Sequence, residues 1–260
     1  MSFSTTEITS HEIISDNPIH QRLLFAYYEA TNITKGQLLE VGCGVGRGIA
    51  ILSEACDKYT GIDKNEQLIE QLRQTYPNAL FIGQNVPPLQ KIPTESYDTV
   101  VAFQVIEHIE DDNLFVKELH RVLKPEGKLI ITTPNIKRSL TRNPWHVREY
   151  KAQELISLMK KYFTKLQTFG VQGNEKVETY MEQNKKAVEK ITKYDILNLQ
   201  YRLPRALLQI PYDILNRMNR KKLMDSNTGL VNEIQYTDYF LDDNIETCLD
   251  FFYVAEKCNC

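Results

Sequence analysis

The sequence predicts an α/β protein built on a mostly parallel sheet, and three observations carry that prediction. Short apolar and β-branched runs at 37–41, 59–62, 79–82, 99–103 and 128–133 alternate with segments apolar at helical spacing, which is the rhythm of βαβ units. The run at 128–133 is almost continuously apolar or β-branched, as a strand buried on both faces should be. The run at 37–41 passes at once into glycines, Leu38-Leu39-Glu40-Val41-Gly42-Cys43-Gly44-Val45-Gly46-Arg47-Gly48, and then into an amphipathic stretch from Ile49. That reads as a buried strand, a tight turn and a helix.

Size and composition suit this class. A chain of 260 residues, 42% hydrophobic and 25% charged, is ordinary for a globular protein and long enough to bury a sizeable core. The net charge of −3 gives no general basic character, so no nucleic-acid partner is expected. Cysteines 43, 56, 248, 258 and 260 form no CxxC pair, so reduced thiols in a cytoplasmic setting are expected. The first residues are polar and acidic, unlike a signal peptide, and no apolar run reaches bilayer length.

Taken in order, residues 1–17 read as a loose arm. Asp16-Asn17-Pro18 opens a helix, with Pro in the first turn, and Ile19, Leu23, Leu24 and Tyr27 share one of its faces. The first strand spans 37–41 and its helix about 47–55. The second strand, 59–62, ends in Asp63, and a helix over 66–75 turns Leu68, Ile69 and Leu72 inward. A third strand at 79–82 leads to a Pro-rich loop at 83–96, then a fourth strand at 99–103. Asp111-Asp112-Asn113 caps a helix with Leu114, Phe115, Leu119 and Val122 inward; 124–127 is a turn before the fifth strand. A basic loop at 136–148, a helix at about 151–162 and a strand at 166–171 follow. The rhythm then breaks. Residues 177–191 repeat at helical spacing, and 202–224 read as one or two helices interrupted at Pro204 and Pro211. A helical run of 174–244 where a turn would suffice reads as an insertion, and 249–255 alternates like a strand returning to the sheet.

The glycine turn is specific in its order. Glu40 stands two positions before Gly42, and Arg47 occupies the place of the third glycine in the dinucleotide fingerprint. The stretch resembles motif I of the class I S-adenosylmethionine-dependent methyltransferases. The segment Tyr97-Asp98-Thr99-Val100-Val101-Ala102-Phe103-Gln104-Val105-Ile106-Glu107-His108 is similar to the corresponding segment of that family, including its members in ubiquinone biosynthesis. The resemblance implies a Rossmann-like, seven-stranded, mostly parallel sheet with its last strand antiparallel. The resemblance covers about 36–170 and the last strand; with the helical run between them, the chain is expected to divide into a methyltransferase core with an N-terminal helix (1–173), a helical cap insertion (174–244) and a last strand returning to the core (245–260).

The resemblance also implies S-adenosylmethionine as cofactor and S-adenosylhomocysteine as product. Gly42, Cys43, Gly44 and Gly46 would hold its amino-acid end through bare main chain, with Glu40 accepting from its ammonium group or from loop amides. Asp63, 21 positions after Gly42, and the adjoining Lys64 stand where ribose hydroxyls are bound; as a second role Asp63 suits a helix cap. Family members place an acid after strand three to bind the adenine amine. This chain has Gln84 or Asn85 there, either of which can accept. Phe103 and Gln104 would line the sulfur end.

The acceptor side falls on Asn143-Pro144-Trp145-His146-Val147-Arg148-Glu149-Tyr150, which resembles a segment of methyltransferases found with polysaccharide and small-molecule tailoring enzymes. His146 is a candidate general base, because imidazole titrates near neutral pH; alternatively His146 and Glu149 fix the loop. His108 is a second candidate or a brace. Small-RNA 2′-O-methyltransferases carry Glu-x-x-Glu-His and a further His that bind a divalent ion; Gln104 in the first position is a poor ligand, so no metal is expected. Arg138, Arg142 and Arg148 suit an anionic acceptor or simply solvent.

The expected activity is methyl transfer, on oxygen, to a small molecule or glycan. The alternatives are a non-catalytic S-adenosylmethionine-binding partner subunit and an NAD-dependent oxidoreductase on a similar fold. The basic amphipathic segment 202–224 either closes the site on its own domain or makes a peripheral contact with an anionic membrane. Oligomeric state is not legible.

Overall fold

The computed structural model describes residues 13–195 and 197–259. Helix α1 (Asn17–Thr31) leads to β1 (Gln37–Val41), α2 (Ile49–Ala55), β2 (Lys58–Asp63), α3 (Glu66–Thr75), β3 (Leu80–Gly83), β4 (Tyr97–Phe103), α4 (Asp112–Val122), β5 (Leu123–Pro134), α5 (Ala152–Met159) and β6 (Lys165–Gly173). Four helices follow, α6 (Glu175–Thr192), α7 (Leu199–Arg202), α8 (Arg205–Ser226) and α9 (Thr228–Glu233). The described chain closes with β7 (Tyr239–Asp242) and β8 (Asp250–Glu256).

One sheet takes the order β3-β2-β1-β4-β5-β8-β6-β7. Strands β1 to β5 pair in parallel. Strand β8 lies antiparallel between β5 and β6. The strand order turns back at β1, which has β2 on one side and β4 on the other. A crevice beyond the carboxyl ends of the strands is expected at such a switch point.

Local signals set the helices. Asn65 accepts from the amides of Gln67 and Leu68 at the start of α3, Asp111 from Leu114 at α4, and Asn174 from Lys176 and Val177 at α6, each satisfying donors a helix leaves unpaired. Strand β8 shows why its sequence is apolar throughout. Phe251, Tyr253 and Ala255 enter the core on one sheet face with Phe115, Leu119 and Phe163, while Phe252 and Val254 join Phe25, Leu52 and Ile69 on the other.

Several expectations need correction. Residues 1–12 of the expected loose arm lie outside the described residues, and its last part is not loose: Ile14–Asp16 is a 3-10 turn with Ser15 and Asp16 buried. The turn expected at 124–127 is a bulge inside β5, where the register jumps from Tyr97↔Leu123 to Thr99↔Lys128. Pro204 precedes α8 as its cap, but Pro211 sits inside that helix without ending it. The carbonyl it leaves unpaired four residues back belongs to Leu207, which is exposed, so water can serve it. The described residues form eight strands where seven were expected. The added strand, β7, pairs with β6 alone and spans four residues. It is too short and too one-sided to show a strand pattern in sequence.

Asp16 is fully buried, and its two carboxylate oxygens accept from Arg217 at 2.8 Å and Arg220 at 2.9 Å. This pair of bonds pins α8 to the turn before α1. Removing one partner of a buried ion pair is costly, and here both arginines retain some contact with water, so Asp16→Asn is expected to lower the unfolding free energy by about 2–3 kcal/mol. Urea denaturation checks it; a change below about 0.5 kcal/mol, typical of surface substitutions, would show that these bonds do not hold α8.

Candidate active site

Three strand tips meet at Asp63. Its main-chain oxygen accepts from the Gln84 amide at 2.9 Å. Its side-chain oxygens accept from the Gly44 amide at 3.0 Å and the Asn65 amide at 2.8 Å. The residue capping α3 is therefore Asn65, and Asp63 ties the glycine turn to the tips of β2 and β3. Gly42 has φ +81 and Gly44 φ +51, values that L side chains rarely adopt. A Cβ on Gly42 would meet Val105 at 2.4 Å, whereas one on Gly44 would project into open space. Gly44 is thus the point where a ligand can reach main chain. Gly46 is turned into the core against Ile49 and Leu72.

Glu40 lies behind the turn, 1% exposed. Its two oxygens accept from the hydroxyls of Tyr27 on α1 and Tyr59 on β2. Burial pushes its pKa up, against the opposing pull of those two hydrogen bonds. Cys43 is also buried, and burial pushes its thiol well up, so it lines the turn as an apolar group.

Beyond the tips of β1 and β4 lies a cavity of about 340 Å³. Gly42, Cys43, Gly44, Phe103 and Gln104 form one wall; His108, His146 and Glu149 form another; α8 closes it with Tyr212 and Asn216. Phe103 packs edge-on against Tyr27 with ring centres 4.9 Å apart. Gln104 takes φ +56, uncommon for a residue with a side chain. Its amide donates to the Thr132 carbonyl at 3.0 Å, and its side chain to the Thr132 hydroxyl at 3.3 Å.

The expected nucleoside-binding residues are not on this cavity wall. Asp63 and Lys64 lie at the end of β2, and Gln84 and Asn85 follow β3; none of the four lines this cavity. The Gln84 side chain is spent on its own loop, donating to the Pro88 carbonyl at 2.8 Å and accepting from the Lys91 amide at 3.1 Å. Asn85 beside it is exposed.

The two histidines come together, rings edge-to-face with centres 5.0 Å apart. His108 Nδ1 lies 3.0 Å from the Trp145 carbonyl, which only accepts, so this nitrogen carries the proton. His146 Nδ1 lies 2.7 Å from Glu149 Oε1. The Asn143 amide oxygen accepts from the Trp145 main chain, which turns its nitrogen toward His146 Nε2 at 2.8 Å. His146 is accordingly a neutral imidazole with Nδ1–H on Glu149 and a lone pair at Nε2. Glu107, 1% exposed, accepts from the Thr133 hydroxyl at 2.9 Å. One ligand atom each from Glu107, His108 and His146 lies within 4.8 Å of the others.

Each of the three arginines of the loop has a protein partner and remains part-exposed. Arg138 pairs with Glu178 at 2.9 Å, Arg142 donates to the Gln200 carbonyl at 3.1 Å, and Arg148 pairs with Asp112. They fasten the loop to α4, α6 and α7. Missed by sequence reasoning are the tyrosines on Glu40 and the polar face of α8. Tyr27 stood in a plain amphipathic pattern, and no local signal says which face of α8 meets a cavity.

A sequence-family profile described as "Methyltransferase domain" matches residues 39–131. A probable S-adenosylmethionine-dependent methyltransferase of Mycolicibacterium smegmatis is 34% identical over 162 residues, which are 60% of this chain and 63% of that protein. This chain therefore spans less than two thirds of that relative's length. A ubiquinone biosynthesis O-methyltransferase of Histophilus somni is 30% identical over 175 residues, 61% of this chain and 67% of that protein. A solved Thermotoga maritima structure, described as an S-adenosylmethionine-dependent methyltransferase and possible histamine N-methyltransferase, shares the fold: TM-score 0.57 at 16% identity, covering 92% of this chain and 91% of that one.

Burial raises the Glu107 carboxyl from 4.5 to about 7, opposed by the charge of His146 whenever that ring is protonated and by the hydrogen bond from Thr133. Between about pH 4.5 and 7 the folded chain therefore holds a proton that the unfolded chain has lost. This contribution to stability is full below about pH 4.5 and is gone once the pH passes the folded value. Glu107→Gln keeps an acceptor for Thr133 and cannot titrate. Relative to the parent, it is expected to gain about 2–3 kcal/mol of stability between pH 4.5 and 8. Denaturation at both pH values checks this, and a pH-independent difference would contradict it.

Proposed function

The chain belongs to the class I S-adenosylmethionine-dependent methyltransferases, and from that premise we propose that it transfers a methyl group to an oxygen of a small-molecule or glycan acceptor. S-adenosylmethionine supplies the methyl group as an electrophile on its sulfonium sulfur. The residues present suit that cofactor. Gly44 leaves open space where any side chain would project, and Asp63 presents acceptor oxygens for vicinal hydroxyls. Asn85 is the better candidate for the adenine amine, since Gln84 is engaged in its own loop. Four free cysteines among the described residues fit a reducing, cytoplasmic setting, and no helix among the described residues is long and apolar enough to cross a membrane.

The observation that carries the acceptor reading is the Glu149–His146 pair beside the glycine turn, in one cavity. A hydroxyl is a poor nucleophile until it loses its proton, and an imidazole is suited to take it. His146 Nε2 holds the lone pair; Glu149 on Nδ1 stabilises the imidazolium that results, and Asn143 orients the ring. An acceptor hydroxyl reaching Nε2 takes the place of the Asn143 amide. The walls of the cavity supply alignment of acceptor and donor. A relative named as an O-methyltransferase agrees with an oxygen acceptor.

A divalent ion is the second reading of the same residues, favoured by the spacing of Glu107, His108 and His146 and by the tying of each Nδ1 to a carbonyl or carboxylate, an arrangement that aims Nε2 at a metal. The Asn143 amide on His146 Nε2 weighs against it. Chelation separates the two: turnover unchanged by EDTA supports the base, and turnover lost and restored by a divalent ion supports the metal.

Asp63→Ala is expected to weaken S-adenosylhomocysteine binding by about tenfold or more, the effect of about two lost hydrogen bonds; calorimetry showing unchanged affinity would remove Asp63 from the ribose. His146→Ala is expected to lower kcat by about 10²–10⁴-fold with cofactor affinity retained. Methyl transfer from labelled S-adenosylmethionine to hydroxylated acceptors reads this, and full turnover would exclude His146 as base. No transfer to any acceptor by a chain that binds the cofactor would favour the non-catalytic partner subunit.

A further inference from the structure

Helix α8 is built inside out. A surface helix ordinarily turns its apolar stripe to the core and its polar face to water. In α8, Tyr212, Asn216, Asn219 and Arg220 line the cavity, while Leu207, Ile210, Ile214 and Met218 face outward with exposures between 43% and 71%. These four recur at helical spacing and mark one continuous stripe. The chain just before α8 extends it with Tyr194, 76% exposed, Leu197, Leu199 and Tyr201, 63% exposed. An apolar surface of this kind marks a face that something covers.

Charge identifies the cover. Residues 190–222 hold eight Lys and Arg against two Asp, in a chain of net charge −3. Lys190, Lys193, Arg202, Lys221 and Lys222 are exposed, the last two one helical turn beyond Met218 on α8. We propose that the outer face of α8, with Tyr194, Leu197, Leu199 and Tyr201 before it, docks on an anionic lipid bilayer, the apolar stripe entering the headgroup boundary and the lysines meeting lipid phosphates. Apolar stripe, cationic rim and exposed tyrosines are together what an interfacial helix requires. The helix lies on the bilayer, since none of the described helices is long and apolar enough to cross one. A second copy of the chain fits less well, because it would bring two cationic rims together. The inner face of α8 closes the cavity, so docking sets the roof of the site against the membrane. The inference does not depend on the methyl-transfer reading.

The test uses the full chain with phosphatidylglycerol vesicles and with phosphatidylcholine vesicles. Co-sedimentation is expected with the first and at least about tenfold weaker with the second. It is expected to weaken as salt screens the lysines. Ile210→Glu with Met218→Glu, and separately Lys221→Glu with Lys222→Glu, are each expected to reduce binding about tenfold or more, with thermal unfolding unchanged. Met218→Trp gives a second reading that removes nothing from the stripe: its fluorescence should shift to the blue on anionic vesicles, against the baseline of Trp145. Equal sedimentation with both lipids, none with either, or a Met218→Trp emission that stays put would overturn the proposal. So would a dimer that the glutamate substitutions dissolve while vesicles fail to bind.

Discussion

The carboxylate of Asp63 joins three parts of the chain that are far apart in sequence: the glycine turn after β1, the start of α3, and, through its own main chain, the tip of β3. The candidate site depends on that junction. A turn with three glycines at positive φ has little stiffness of its own. The bond from the Gly44 amide to Asp63 holds it with its open side outward, so the place where a side chain is missing is also the place where a ligand can enter. If Asp63 also takes a ribose, one carboxylate both builds the cradle and recognises what lies in it.

A second carboxylate performs the matching task inside. Glu40, between the hydroxyls of Tyr27 and Tyr59, couples β1 to α1 and β2. Tyr27 also meets Phe103 at the β4 tip. The turn preceding α1 carries Asp16, which grips Arg217 and Arg220 of α8. A physical chain of contacts therefore runs from the glycine turn through α1 to the helix that closes the cavity.

Much of the fold was legible because the relevant signals are local. The limits of β1 and α3 agree with the sequence reading, since a strand running into glycines and an amphipathic helix declare themselves within a few residues, although the cap of α3 is Asn65 and not Asp63. The capping of α4 by Asp111 was legible for the same reason. What escaped depends on distant partners. Nothing near Glu40 says that tyrosines 13 and 19 positions away will take both its oxygens. Gln84 looked like a ligand group until its loop claimed both ends of its amide. The arginines of the 136–148 loop looked free because their carboxylates and carbonyls lie on α4, α6 and the α7 region. The polarity of α8 was visible as composition, but its direction was not, because two amphipathic faces are equivalent until the cavity beneath one of them exists.

The central claim is that open main chain at Gly44 receives the cofactor, and one substitution tests it without disturbing the fold. Asparagine tolerates the left-handed conformation that Gly44 adopts, and a Cβ there meets nothing of the protein within 4 Å. Calorimetric titration of S-adenosylhomocysteine into the parent chain and into Gly44→Asn is the most direct measurement. The account predicts one binding site in the parent and an affinity reduced at least about tenfold in the variant, the size of about one lost hydrogen bond, with thermal unfolding unaltered. Equal affinity in the two proteins, or no heat from the parent, would contradict it.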